Sequence, residues 1–141
     1  MFTNILLASD GSECALKAAA VAATLANKFA ARLTIINIYE PIPTVGPYGE
    51  IVNTELNERY VRELQEHAIS PVGRIMDKMG VPYQSRQEVG QPAAEIIRVA
   101  EEGFDLVVLG SRGLSGFQEF LLGSVSDRVV HHAHCPVLII K

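Results

Sequence analysis

Five short runs of strand-forming residues alternate along the chain with segments of helical periodicity, and this alternation is the strongest constraint on the fold. The runs are NILLAS (4–9), RLTIINIY (32–39), PYQSRQEV (82–89), DLVVLG (105–110) and PVLII (136–140). Most of them are nearly continuous in apolar residues, which is typical of strands covered on both faces. Strands that alternate with helices predict a parallel sheet with helices on both faces, here as one domain over residues 1–141.

Four segments between and after these runs have the apolar spacing of helices. The first follows Ser12, a good N-cap, and carries an alanine stripe that would let the helix lie close to a sheet. The second begins near Thr54, with Pro71 expected to kink or restart it and Gly80 expected to end it. The other helices are predicted over 90–103 and 124–133, and the proline-rich segment 41–49 is predicted to be a loop.

Charge and composition exclude several classes of protein. The formal net charge is −4 and no basic block occurs, which argues against nucleic acid as a partner. No apolar window approaches the roughly 18 residues of a membrane span, and the N-terminus lacks the basic region of a signal peptide. Two cysteines, Cys14 and Cys135, are too few for a disulfide framework. We therefore expect a cytoplasmic protein with reduced thiols and no membrane insertion.

Glycine and serine residues cluster after the fourth run, in LGSRGLSGFQEFLLGSVSDR (109–128). A phosphate bound by backbone needs inward N–H groups, residues that can take positive φ, and no Cβ in the way. Gly110 and Gly113 would supply the first half of such a nest. Gly123 would open the fourth helix, whose first N–H groups lack partners and lie at the positive end of the helix dipole. The hydroxyls of Ser124 and Ser126 can donate to phosphate oxygens or ligate a metal bound to them.

Two of the candidate residues also fit a purely structural role. Ser124 and Asp127 match the S-x-x-D capping-box pattern, so the serine could serve only to cap its helix. Asp10, which follows the first run, could serve only to form a turn. Its place at the carboxyl end of a strand favours contact with a ligand, because ligands of parallel sheets bind there. Several such features at one strand end together favour an anion site.

Other nucleotide and metal motifs are absent or ambiguous. No G-x-x-x-x-G-K-[ST] occurs and no lysine lies between residues 79 and 140, so a site here would bind a triphosphate better than it cleaves one. The spacing G-x-x-G-x-x-G differs from the dinucleotide pattern, which argues against NAD. HHAHC (131–135) places His131, His134 and Cys135 at metal-ligand spacing, but histidines at a helix C-terminus also suit the dipole, and we favour that interpretation.

The spacing Gly110-x2-Gly113-x9-Gly123-Ser124 resembles the G-2x-G-9x-G-[S/T] signature of nucleotide-binding universal stress proteins. The alanine-rich first helix, the strand DLVVLGSRG and the final CPVLII extend the likeness over the whole chain. The resemblance implies a doubly wound α/β fold of the adenine nucleotide alpha hydrolase type, with strand order 3-2-1-4-5. It also implies ATP in the crevice between the first and fourth strands.

The resemblance also implies a residue-by-residue assignment of nucleotide contacts. Asp10 would take the ribose hydroxyls, and Ile38 would line the base. Gly113 and the residues that open the fourth helix, Gly123, Ser124, Val125 and Ser126, would hold the phosphates. The phosphates would carry Mg²⁺ or Mn²⁺, with Ser126 as a candidate ligand. The complete set of predicted nucleotide-binding residues is Ala8, Ser9, Asp10, Ile38, Leu109, Gly110, Arg112, Gly113, Gly123, Ser124, Val125 and Ser126.

The function expected from this site is nucleotide-dependent regulation. The resemblance implies a homodimer formed by antiparallel pairing of the last strands, for which Val137 and Ile139 are the candidate contacts. Two alternatives stay open. The first is a slow ATPase or phosphotransferase, for which only Asp10, Arg112 and a metal are candidates near the γ-phosphate. The second is a dimeric interaction module that works without a nucleotide.

Overall fold

The computed structural model describes residues 1–41, 54–114 and 122–141, with side chains of the second range described from residue 58 onward. Its elements are β1 (Asn4–Ala8), α1 (Glu13–Phe29), β2 (Arg32–Tyr39), α2 (Thr54–Met79), β3 (Tyr83–Val89), α3 (Pro92–Ala100), β4 (Leu106–Gly110), α4 (Ser124–His132) and β5 (Val137–Ile140). Each predicted strand and helix is present, with ends displaced by at most three residues. Most of the predicted loop 41–49, and residues 115–121 of the glycine-rich segment, lie outside the described residues.

The five strands form one parallel sheet of order β3-β2-β1-β4-β5, which confirms the predicted fold. β1 is central, because Ile5 pairs with Leu33 on one side and with Leu106 on the other. The polar strand β3 lies at one edge, as its sequence indicated, and β5 lies at the other. The order reverses between β1 and β4, so a crevice opens at the carboxyl ends of those two strands.

Helices cover both faces of the sheet, as predicted. Alternate residues of each strand point to opposite faces, so Leu7 packs toward α1 and α2 whereas Leu6 packs toward α3 and α4. The first layer includes Ile35 and Val108 beneath Ala22 and Met76, and the second includes Ile36 and Val107 beneath Ile96 and Val129. The central strands are therefore enclosed on both sides, which explains their continuous apolar sequences.

α1 lies close to the sheet and begins where the sequence predicted. The Ser12 hydroxyl accepts a hydrogen bond from the backbone N–H of Ala15 at 3.2 Å and so caps the helix. Ala18 and Ala22, on the buried face, have no exposed surface. Because these side chains are so short, the helix can approach the strands closely. This approach brings its first turn against the end of β4 and shapes the crevice.

A kink or a restart was predicted at Pro71, and of these two the restart does not occur, because α2 runs unbroken through the proline. A proline inside a helix removes one backbone hydrogen bond. Ala68 is buried before Pro71, and Val72 and Met76 are buried after it, so packing against the sheet holds the two halves of the helix together. Gly80, with φ of +68°, ends the helix as predicted. Despite the length of α2, no helix within the described residues is both long and apolar enough to cross a membrane.

Candidate functional site

A cavity of about 330 Å³ occupies the crevice between the ends of β1 and β4. All twelve residues predicted as nucleotide contacts line it, namely Ala8, Ser9, Asp10, Ile38, Leu109, Gly110, Arg112, Gly113, Gly123, Ser124, Val125 and Ser126. They come from β1, β2, β4, α4 and the turns that follow the strands, so distant parts of the chain meet at one place. The volume lies at the lower end of the range for small-molecule sites. We refer to this cavity as the crevice.

Asp10 links the two sides of the crevice. Its Oδ1 accepts a hydrogen bond from the backbone N–H of Ser12 at 2.9 Å, which is the turn-forming role that the sequence left open. Its Oδ2 accepts a hydrogen bond from the backbone N–H of Leu114, on the β4 side, at 3.1 Å. The carboxylate is half-buried and lines the crevice. The same side chain therefore both shapes the turn and forms part of the crevice wall.

Ser9 and Asn37 fix the backbone at the end of β1. The Ser9 hydroxyl donates to the carbonyl oxygen of Ala68 at 2.6 Å and accepts from the N–H of Gly11. The Asn37 side chain donates through Nδ2 to the carbonyl oxygen of Ser9 at 3.0 Å. Our sequence analysis missed Asn37, although an asparagine inside the apolar run TIINI was a visible signal. Its side chain holds the turn that carries Asp10.

The glycines of the crevice satisfy one condition set for a phosphate nest, the absence of a Cβ, but not the other, positive φ. Gly110, Gly113 and Gly123 do not adopt the left-handed φ that the nest hypothesis invoked. Space explains Gly110 and Gly113, where an added Cβ would meet another group, whereas a Cβ at Gly123 would make only a tight contact, 3.2 Å from Ser111 O. A Cβ at Gly110 would lie 2.7 Å from Cys14 Cβ, and a Cβ at Gly113 would lie 2.6 Å from Asp10 Oδ2. Gly110 thus admits α1, whereas Gly113 keeps the crevice open beside the carboxylate.

α4 begins at the crevice with unpaired backbone donors. Gly123 is its N-cap, so the alternative that Ser124 serves only to cap this helix does not hold. The first backbone bond of the helix runs from Asp127 N–H to Gly123 O at 2.9 Å. The N–H groups of Ser124, Val125 and Ser126 have no partner within the described part of the chain. Such groups, at the positive end of the helix dipole, form an anion site.

The two serines of α4 differ in what their hydroxyls can do. Ser126 is only 2% exposed, and its Oγ lies 2.9 Å from the carbonyl oxygens of both Ser111 and Gly123, to which it donates. Its hydroxyl hydrogen is thus used to hold the β4 turn against α4. Ser124 is exposed at the crevice and makes no side-chain hydrogen bond to a described residue. Ser124 is therefore the better donor to a bound anion.

The HHAHC segment lies at the far end of α4 from the crevice. His131 Nδ1 lies 2.8 Å from the carbonyl oxygen of Asp127, and His134 pairs with Glu101 at 2.9 Å. Burial, with a smaller contribution from Asp105, raises the pKa of the Cys135 thiol, which disfavours the thiolate that a metal needs. Among the described residues, no three His, Cys, Asp or Glu side chains converge as a metal site would require.

Three comparisons place this architecture among known proteins. The chain matches the model of the universal stress protein family over residues 1–141. It is 38% identical over 143 residues to a universal stress protein of Thermus aquaticus, a match that covers all of both chains. The solved structure of universal stress protein UspA from Lactobacillus plantarum superposes with a TM-score of 0.84 at 26% identity, covering 99% of this chain and 98% of that one. A universal stress protein solved in complex with cAMP gives 0.73 at 25% identity, covering 99% and 97%.

Proposed function

The chain belongs to the universal stress protein family, and from that premise we propose that it binds ATP in the crevice as a nucleotide-dependent regulatory protein. The observation that carries the proposal is the start of α4. Three backbone N–H groups there have no partner among the described residues, and their residues line a cavity that all the predicted contacts share. A related protein has been solved with cAMP, which is also an adenine nucleotide. The phosphates would occupy the start of α4 and carry Mg²⁺ or Mn²⁺.

The other parts of a nucleotide fit the remaining walls of the crevice. The Asp10 carboxylate can accept hydrogen bonds from the ribose hydroxyls, since ligands of this size orient through a few convergent polar groups. The apolar side chains of Ile38 and Leu109 line the space left for the base. Binding would be favoured over hydrolysis, because the sequence has no P-loop motif, and so lacks the lysine that such a motif uses to neutralise charge on a transferring phosphoryl group. Regulation then follows if ATP stabilises one conformation more than another.

The nucleotide carried through purification tests this proposal directly. Freshly purified protein is denatured, and the released nucleotide is identified by chromatography and mass. We expect roughly one ATP per chain, because a site that binds without cleaving retains its triphosphate. Retention of ADP or AMP alone would instead support the slow hydrolase. The absence of nucleotide, together with no thermal shift on adding Mg·ATP, would contradict the proposal and leave the protein as an interaction module.

The homodimer belongs to the same proposal. β5 is an outer strand whose four residues are all half-buried, and one of its edges has no strand beside it in the sheet. An exposed apolar edge favours pairing with a second copy. Val137→Lys or Ile139→Lys is expected to give monomers, because dimerisation would bury a charge at the pairing edge. Light scattering would measure the molar mass of each variant. Val89→Lys, at the opposite edge strand β3, is the matched control, and dimers that survive both β5 changes would contradict this interface.

A further inference from the structure

A second and larger space, about 610 Å³, opens beside the crevice toward α2 and α3, and we call it the groove. Seven residues line both spaces, namely Asp10, Asn37, Ile38, Pro92, Leu114, Ser124 and Val125. The two spaces therefore adjoin along a shared wall, and a ligand longer than the crevice would extend past these residues into the groove.

The groove suits the extension of a phosphate chain. Arg128 lines it one turn after Ser124 on the same face of α4, so a guanidinium stands next to the unpaired donors that start this helix. The start of α3 also reaches the groove through Pro92 and Ala93, and Gln91 makes no side-chain cap there. Two uncapped helix N-termini and one cation thus converge on the same space. This arrangement attracts an elongated anion.

The far wall of the groove suits an aromatic ring. Tyr39 and Tyr60 line it together with Leu64. Tyr60 is 41% exposed and Leu114 is 76% exposed, so apolar surface is left open to solvent here. Every nucleobase has a π-face that stacks on an aromatic side chain. A second base would cover this surface.

On the basis of the proposed ATP site, we infer that the crevice and the groove together bind a dinucleoside polyphosphate. One adenosine occupies the crevice, the phosphate chain passes the start of α4 and Arg128, and the second base stacks on Tyr60. The carboxylate of Glu40 also lines the groove, and it suits a divalent cation carried by the phosphates. The ligand class is thus larger than ATP.

Titration calorimetry with Mg·ATP and with diadenosine tetraphosphate tests this inference. We expect the dinucleotide to bind about tenfold more tightly, which is the usual scale for stacking one base. Tyr60→Ala should remove most of that advantage while changing ATP affinity less than about twofold. Arg128→Ala should weaken both ligands, because the guanidinium lies beside the phosphates in either case, and should weaken the dinucleotide more. Tyr60→Phe, which keeps the ring, and Arg74→Ala, which removes an exposed charge of α2 outside the groove, are the matched controls and should retain the advantage of the dinucleotide.

The outcomes separate this inference from the proposed function. If the original chain and all four variants each bound Mg·ATP and diadenosine tetraphosphate with equal affinity, the dinucleotide assignment would be overturned. The ATP site would still stand. Binding of neither ligand would overturn the ATP site itself. A cyclic dinucleotide that binds tenfold more tightly than the linear one would overturn the extended arrangement, because a ring cannot place its bases at opposite ends of the two spaces.

Discussion

Gly113→Val is expected to abolish ATP binding while leaving the fold intact. The ideal Cβ at this position lies 2.6 Å from Asp10 Oδ2, and the only other described atom within 4 Å is Asp10 Cγ, at 3.8 Å. The obstacle is the end of one side chain, so the carboxylate would move and lose its bond to Leu114 N–H. We expect the dissociation constant for Mg·ATP to rise more than about 100-fold, with a loss of less than about 1 kcal/mol in the free energy of unfolding.

Calorimetry for binding and urea denaturation for stability measure the two effects separately. Gly113→Ala provides a graded control, since its single methyl group displaces the carboxylate without filling the crevice, and an intermediate affinity is expected. If the valine variant bound ATP within threefold of the original chain, the crevice would not be the nucleotide site. If the valine variant proved unstable, the alanine variant would still decide the question, because it tests the same contact with less bulk.

The sequence was sufficient to predict the order of elements because each strand and helix has a local signal. Ser12 as an N-cap and Gly80 as a helix end depend on residues within one turn of them, and both predictions were confirmed. The meeting of Asp10 with Gly113 was also predictable, because parallel strands place their carboxyl ends at one edge of the sheet. The roles of these residues toward a nucleotide stay predictions.

Interactions between elements that are distant in sequence were not predictable from the chain alone. Gly123 replaces Ser124 as the N-cap of α4 because its N–H donates to Ser111 O at 2.7 Å, a contact across segments that the capping-box pattern does not represent. The burial of the Ser126 hydroxyl follows from the same closure. The packing of α1 against Gly110 likewise depends on how the sheet twists beneath the helix. Such contacts determine whether a residue of the glycine-rich motif caps a helix, packs against one or lines the crevice.

Gly110→Ala is expected to have the opposite effect to a change at Gly113, although both glycines belong to one motif. Its ideal Cβ lies 2.7 Å from Cys14 Cβ, 2.9 Å from Cys14 C and 3.1 Å from Ala15 N. Two of these atoms are backbone, so relief requires the first turn of α1 to retreat from β4. Overpacking of this kind costs about 1–3 kcal/mol. We expect that loss in urea denaturation, as a lowered midpoint with an unchanged slope.

The matched control for Gly110→Ala is Gly80→Ala. A glycine can be required by its backbone conformation or by lack of space for a Cβ, and the two positions differ in which of these applies. Gly80 has a left-handed φ of +68° and nothing within 4 Å of an added Cβ, so any loss there comes from backbone conformation alone. Gly110 has no such conformation, so any loss there comes from lack of space. If Gly110→Ala were as stable as the original chain but failed to bind ATP, the glycine would serve the ligand directly. A destabilised Gly110→Ala that still binds ATP when folded would instead show that this motif glycine serves the packing of α1 against β4, leaving Gly113 as the glycine that keeps the crevice open.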